Sequence, residues 1–329
     1  MTDWEKVISF ESLYKAHRRA RLGKRGKKEV ILFEMNLAEN LYALHYELKY
    51  GKYQVGEYRR FMIYDPKERE IQAISYRDRV VQHSLCDNYL TPLLEKQLIY
   101  DNVACRKKKG SGLAVKRLRG FMAEHYKKWG RTGYFVKADV KKFFNSIPHD
   151  ILKEKLRGVV ADENILRLLF ALIDSYAFTK NRGLPMGNQT SQCFAVFYLN
   201  RLDRFLKERL GVGYYVRYMD DMILLLGDKD RAKESIDAIA AVLQEERLVL
   251  HSKSQVIHAK NGVLFLAWRF FYGKNGEIVQ KLKRQTKKRV LEKVKTQGKV
   301  KKESMVSYEG LLRGANGFLF LARVRSFFR

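Results

Sequence analysis

Two adjacent carboxylates, Asp220 and Asp221, stand between apolar runs rich in β-formers. Tyr214-Tyr215-Val216-Arg217-Tyr218 precedes them and Met222-Ile223-Leu224-Leu225-Leu226 follows. The pattern predicts a hairpin with the acids at or near its tip. Neighbouring ionised acids repel each other, and in an apolar setting they need a cation to neutralise them. Taken alone, an Asp-Asp pair is most simply a solvated turn. A third acid changes that reading. Tyr134-Phe135-Val136-Lys137-Ala138-Asp139-Val140 is an apolar strand ending in Asp139, after which Lys141 to Pro148 turns away. An Asp that terminates a buried strand can meet the acids of a neighbouring hairpin. Three such carboxylates can hold two Mg²⁺ ions roughly 3.5–4 Å apart, the clamp that serves in-line phosphoryl transfer.

The surrounding elements must position these acids. Residues 10–50 carry helical periodicity, with Leu37, Leu41, Leu44 and Leu48 on one face and a basic break from Arg18 to Lys28. Tyr58 to Tyr64 alternates like a strand, Asp65-Pro66-Lys67-Glu68-Arg69 turns, and Glu70 to Ile74 returns, which places Lys67 and Arg69 near a hairpin tip. Cations there suit a triphosphate, although taken alone they are more simply the charges of a solvated turn. A helix then begins at Tyr76-Arg77-Asp78-Arg79, and His83 within it reads as structural. The run from Cys105 to Arg119 joins a basic, Gly-containing loop to a helix start, a weak anion-site signal without a Walker ending. Gly183-Leu184-Pro185-Met186-Gly187-Asn188 forms a loop that feeds a helix with Ala195, Tyr198, Leu199, Leu202, Phe205 and Leu206 on its apolar face.

A chain of 329 residues can bury a large core and hold two or three subdomains. The net charge of +29, from 65 Lys and Arg against 36 Asp and Glu, favours a polyanionic partner. No apolar run reaches membrane-spanning length and no signal-peptide pattern opens the chain. Three scattered cysteines, Cys86, Cys105 and Cys193, suggest neither a disulfide framework nor a zinc site, so the chain reads as reduced and cytoplasmic. Residues 281–329 hold fifteen Lys and Arg against three Glu, the composition of helices that lay a cationic face on a duplex backbone.

In this order, the strand ending in Asp139, the Gly187 to Gln192 loop before a helix, and Tyr218-Met219-Asp220-Asp221 resemble palm motifs A, B and C of reverse transcriptases. Leu248 to Lys253 resembles motif D, and Phe265-Leu266-Ala267-Trp268 resembles the motif E hairpin. Lys67, Arg69 and Tyr76 to Arg79 resemble the fingers motifs of bacterial members. Within the loop, an apolar residue before Gly187 and Gln192 after Ser191 resemble the enzymes of diversity-generating retroelements. Met186 departs from the aliphatic residue usual there.

The resemblance implies an α+β right-hand polymerase with fingers, an antiparallel palm sheet and a helical thumb. Its expected divisions are an N-terminal helical extension over 1–50, fingers over 51–132 with some of 145–182, a palm over 133–275 and a basic thumb over 276–329. It implies that Asp139, Asp220 and Asp221 bind two Mg²⁺ ions, with the Val140 carbonyl as a further ligand. Lys67 and Arg69 grip the triphosphate, and Phe144 excludes a ribose 2′-OH. Met186, Gly187 and Gln192 adjoin the nascent pair, and Lys253 serves as general acid. The substrates are deoxynucleoside triphosphates on a template RNA and RNA/DNA duplex, and the partner is a small basic helical accessory protein; no membrane is involved. The implied outcome is adenine-biased error and sequence diversification by mutagenic retrohoming. The alternatives are a retron or phage-defence enzyme, a group II intron maturase and a non-catalytic RNA-binding scaffold.

Overall fold

The periodicity of residues 10–50 becomes consecutive helices, Phe10–Ala20, Lys28–Met35 and Leu37–Lys49, preceded by Asp3–Ile8. Thr2 starts the first of these with a capping box, its hydroxyl accepting from the Glu5 amide while the Glu5 carboxylate accepts from the Thr2 amide. Leu41, Leu44 and Leu48 are buried as the spacing demands. The computed structural model describes residues 1–64 and 68–296 together with Phe320, Ala322 and Val324. These fall into two compact units.

The first unit comprises Met1–Lys108, Val140–Phe205 and Val242–Val249. Besides the N-terminal helices it contains an antiparallel hairpin, β1 (Arg59–Ile63) and β2 (Arg69–Ala73), with Ile63 opposite Arg69. The helix Tyr76–Leu85 follows, capped by Ser75 through the Asp78 amide. Helices His149–Arg157, Glu163–Asp174 and Gln189–Tyr198 complete the unit. In the basic break, Arg19 pairs with Asp87 and Arg21 with Glu34, so part of that charge serves packing. His83 sits 3.9 Å from Asp87, and burial lowers its pKa, as befits a structural histidine. Cys86 and Cys193 hydrogen-bond side chain to side chain, and burial pushes the Cys86 thiol up.

The second unit comprises Lys109–Asp139, Leu206–Ala241 and Leu250–Arg329. Its centre is a four-stranded antiparallel sheet of β3 (Tyr134–Ala138), β4 (Tyr215–Tyr218), β5 (Asp221–Leu226) and β6 (Gln255–His258), in the order β4-β5-β3-β6. Phe135, Val136 and Ala138 of β3 and Met222 to Leu226 of β5 are buried, which pins the register, with Ala138 opposite Met222. A smaller sheet joins β7 (Val263–Phe265), β8 (Trp268–Tyr272) and β9 (Ile278–Leu282).

The helix Ser111–Trp129, assigned to the fingers by sequence, packs its His125 and Phe121 rings on Tyr214 beside β4 and belongs to the sheet unit. Residues 278–282, placed at the start of the thumb, form β9 on the motif E hairpin, and helix begins only at Arg284–Thr296. There Val290 packs with Val324, while most of the expected thumb lies outside the described residues. Among the described residues no helix is long and apolar enough to cross a membrane.

Candidate active site

Tyr218 pairs with Asp221 across the β4–β5 hairpin, so Met219 and Asp220 form a two-residue turn. Met219 adopts φ 58°, a conformation normally left to glycine at the tip of such turns. The Arg217 side chain, 0% exposed, donates from Nη1 to the Met219 carbonyl at 2.7 Å. A buried guanidinium thereby braces the turn that presents Asp220.

Asp139 follows the last residue of β3. Its amide donates to Ser254 Oγ at 3.1 Å and its carbonyl accepts from the His251 amide at 2.7 Å. The motif D segment therefore clasps the Asp139 backbone. The side chains of Asp139 and Asp220 interact directly, and burial together with the Asp139 charge pushes the Asp220 carboxyl up to about 6. Asp221 is also raised, first by burial, while Lys137 pulls it down. Lys137 Nζ lies 3.9 Å from Asp221 Oδ1, and the Leu266 amide at the motif E turn donates to Oδ2 at 3.4 Å.

Among the described residues no group of three or more His, Cys, Asp or Glu is set as a ready metal cluster. Asp139 and Asp220 are brought together, whereas Asp221 is engaged by Lys137 and Leu266. The donor set nevertheless fits a divalent cation. Asp221 Oδ1 is buried without a hydrogen-bond partner, and both hairpin acids resist ionising until positive charge arrives. Lys253 is exposed and shares with Asp139 a cleft of about 920 Å³ whose wall also carries Lys137, Arg269, Lys281 and Lys287.

The remaining predicted residues lie in the first unit. Val140 is buried, and Phe144 is half-buried with its carbonyl accepting from the Leu184 amide at 2.7 Å. That bond ties the turn after Asp139 to the Gly183–Pro185 loop. Gly187 has φ 116°, and a Cβ there would sit 3.7 Å from Ile71 of β2, so the loop lies against the hairpin. Met186 is half-buried and Gln192 exposed. Asn188 is buried and donates to the Tyr58 hydroxyl at 3.1 Å. Arg69 begins β2, and Lys67 lies outside the described residues. The weak anion signal after Cys105 is partly structural, because Arg106 is bound to Glu95 and to the carbonyls of Ile99 and Asn102.

Sequence reasoning passed over Lys137, Arg217, Ser254 and Leu266. Lys137 had a usable signal, since it stands two residues before Asp139 on a strand and so shares its side. Leu266 stands inside the run that resembles motif E, and Arg217 and Ser254 had no signal.

A family model described as reverse transcriptase (RNA-dependent DNA polymerase) matches residues 65–270. This chain belongs to the reverse transcriptase family. Protein YkfC of Escherichia coli strain K12 is 23% identical over 282 residues, covering 72% of this reverse transcriptase and 73% of YkfC. A retron reverse transcriptase of Escherichia coli is 28% identical over 187 residues, covering 54% of this chain and 55% of its own. Telomerase from Candida albicans, solved with a fragment of telomeric RNA, matches with a TM-score of 0.53 at 14% identity over 72% of this chain. The chain spans about half of the retron enzyme and 46% of that telomerase chain. The fold is that of a reverse transcriptase, mixed helix and sheet with antiparallel sheets, and membership supports RNA-directed DNA polymerase activity.

Proposed function

We propose that this chain copies a template RNA into cDNA by two-metal phosphoryl transfer, with Asp139, Asp220 and Asp221 as the metal-holding acids and the Val140 carbonyl as a further ligand. The observation that carries this reading is the interaction of Asp139, just after β3, with Asp220 in the turn of the β4–β5 hairpin of a reverse-transcriptase chain. Bound Mg²⁺ would acidify the primer 3′-OH and neutralise the triphosphate and leaving pyrophosphate. The chain's own side chains do the rest. Lys67 and Arg69 neutralise the deoxynucleoside triphosphate, Phe144 blocks a 2′-OH, and Lys253 gives a proton to pyrophosphate. Gly187 lets the backbone approach the new pair, with Met186 and Gln192 beside it. The basic residues after Arg284 hold the RNA/DNA duplex.

The finer role we propose is diversification by a diversity-generating retroelement, error-prone at template adenine and assisted by a small basic helical protein. The Met186 to Gln192 loop supports it. A retron or defence role is the second reading, supported by the 28% identity to a retron enzyme. Primer extension on a defined RNA, followed by deep sequencing of the cDNA, tests both. Mg²⁺-dependent cDNA with errors concentrated at adenine is the expected result. Faithful cDNA made in the presence of native RNA and partners would favour the retron reading, and no extension would sink the polymerase assignment.

A further inference from the structure

A second concave site lies wholly within the first unit, built from elements that carry no palm motif. It is a cavity of about 510 Å³ walled by Trp4, Lys49, Tyr50, Tyr53, Asn164 and Arg167. Its walls are braced. The Trp4 amide donates to Asp162 Oδ2 at 3.2 Å, while Asp162 Oδ1 caps the helix Glu163–Asp174 through the amides of Asn164 and Ile165. Arg167 Nη2 donates to Asn164 Oδ1 at 2.6 Å, which aligns two polar groups along one side. On the other side the helix Leu37–Lys49 is capped by Tyr50 and followed by Gly51, φ 67°, and the amides of Lys52 and Tyr53 both donate to the Glu47 carbonyl. That reversal sets Tyr50 and Tyr53 at the cavity, and the Tyr53 hydroxyl is anchored on Asp78 at 2.7 Å.

The cavity continues into an exposed aromatic stripe. Tyr42, Tyr46 and Tyr50, 64%, 41% and 57% exposed, recur every four residues, about 6 Å apart along the helix. The Tyr46 and Tyr50 rings lie 4.5 Å apart. Lysines are interleaved with them, Lys52 Nζ 5.3 Å from the Tyr46 ring and Lys49 Nζ 5.7 Å from the Tyr50 ring. Large aromatics left in water cost free energy unless something covers them. A path of π-faces flanked by cations matches unstacked bases joined by phosphates. A cationic or neutral apolar partner would gain nothing from the lysines and Arg167, whereas a polyanion is attracted by them and by the net charge of +29.

We infer that the Trp4–Tyr50–Arg167 cavity and the tyrosine stripe leading from it bind single-stranded RNA, with one splayed base in the cavity and neighbouring bases on Tyr46 and Tyr42. The choice of RNA over DNA rests on the proposed RNA-copying function. The full chain, with its polymerase site saturated by an unlabelled short RNA–DNA primer–template, is mixed with a labelled twelve-nucleotide single-stranded RNA carrying 4-thiouridine. Photo-crosslinks should map to Trp4, Tyr46 and Tyr50. The double variant Trp4→Ala/Tyr50→Ala should weaken that RNA by about 5- to 150-fold for each base stack lost, while Trp4→Phe/Tyr50→Phe should stay within about twofold. Extension of the short primer–template, in which neither Trp4 nor Tyr50 has an assigned role, should not change. Crosslinks that avoid these residues in the unmodified protein overturn the proposal, even if the alanine variant fails to fold. So does a folded alanine variant with undiminished RNA affinity, or equal affinity for a blunt RNA duplex. Failure of extension alongside intact crosslinks would overturn the polymerase reading and leave this site standing.

Discussion

Replacing Asp220 by Asn should stabilise the metal-free protein while abolishing its response to Mg²⁺. The carboxyl rises from 3.8 to about 6 because burial and Asp139 disfavour its charged form. The folded state therefore holds a proton between those values that the unfolded chain releases. Stability contributed by this group falls as pH rises through that window, and the full cost is present above about pH 6. At about 1.4 kcal/mol per pH unit the ceiling is about 3 kcal/mol, which solvent screening of a half-buried group reduces to about 1–2 kcal/mol. Asn keeps the shape without the charge. Its gain should be absent at pH 2.5 and complete at pH 8, worth about 2–3 °C in a chain of this size. Thermal unfolding with chelator and then with millimolar Mg²⁺ reads both effects. Mg²⁺ should raise the melting temperature of the parent and leave the variant unmoved. A variant no more stable than the parent at pH 8 without metal, or an equal Mg²⁺ response in both, would refute the idea that buried charge repulsion poises this site for a cation.

Arg217→Met should keep the volume but release the Met219 carbonyl, costing about 1–3 kcal/mol, and should lower kcat more than it raises KM for nucleotide; an unchanged kcat would remove Arg217 from the bracing of the hairpin. Gly183→Ala forces a Cβ to within 2.7 Å of Phe178 Cβ at φ 104°, so a loss on the order of 2–4 kcal/mol is expected by denaturant titration, and a neutral result would contradict the loop conformation. Met186→Gln should make errors opposite template adenine rarer by roughly tenfold, read by sequencing cDNA from one RNA copied by both proteins, and equal error spectra would mean that Met186 does not set fidelity. Affinity for an RNA/DNA duplex should fall by roughly a thousandfold between about 50 and 200 mM salt if six or more phosphates are contacted, and a flat salt profile would argue against a cationic face tracking the backbone.

Local pattern carried much of this protein. Continuous apolar runs of β-formers around Asp139 and Asp220-Asp221 were enough to place the acids at or next to strand ends, because a buried strand's composition is written in neighbouring residues. The alternating four- and three-residue spacing of Leu37, Leu41, Leu44 and Leu48 likewise marked a helix and its buried face. What local pattern could not supply was the environment of each group. Nothing around Arg217 says that a charged residue is wholly buried and donates to the turn it precedes. Nothing in Ile278 to Leu282, a short run inside a basic tail, says that it pairs with β8, since pairing is decided by a partner strand and not by the run itself. Cys86 and Cys193, distant in sequence, meet because the helix Gln189–Tyr198 packs beside the turn at Cys86–Leu90. The acids also divide in a way no spacing reveals. Asp220 faces Asp139, while Asp221 is engaged by Lys137 and by the amide of Leu266. Residue type and order therefore selected the chemistry, and long-range packing decided which carboxylate is raised, because a pKa depends on the neighbours that the folded chain brings within a few ångströms.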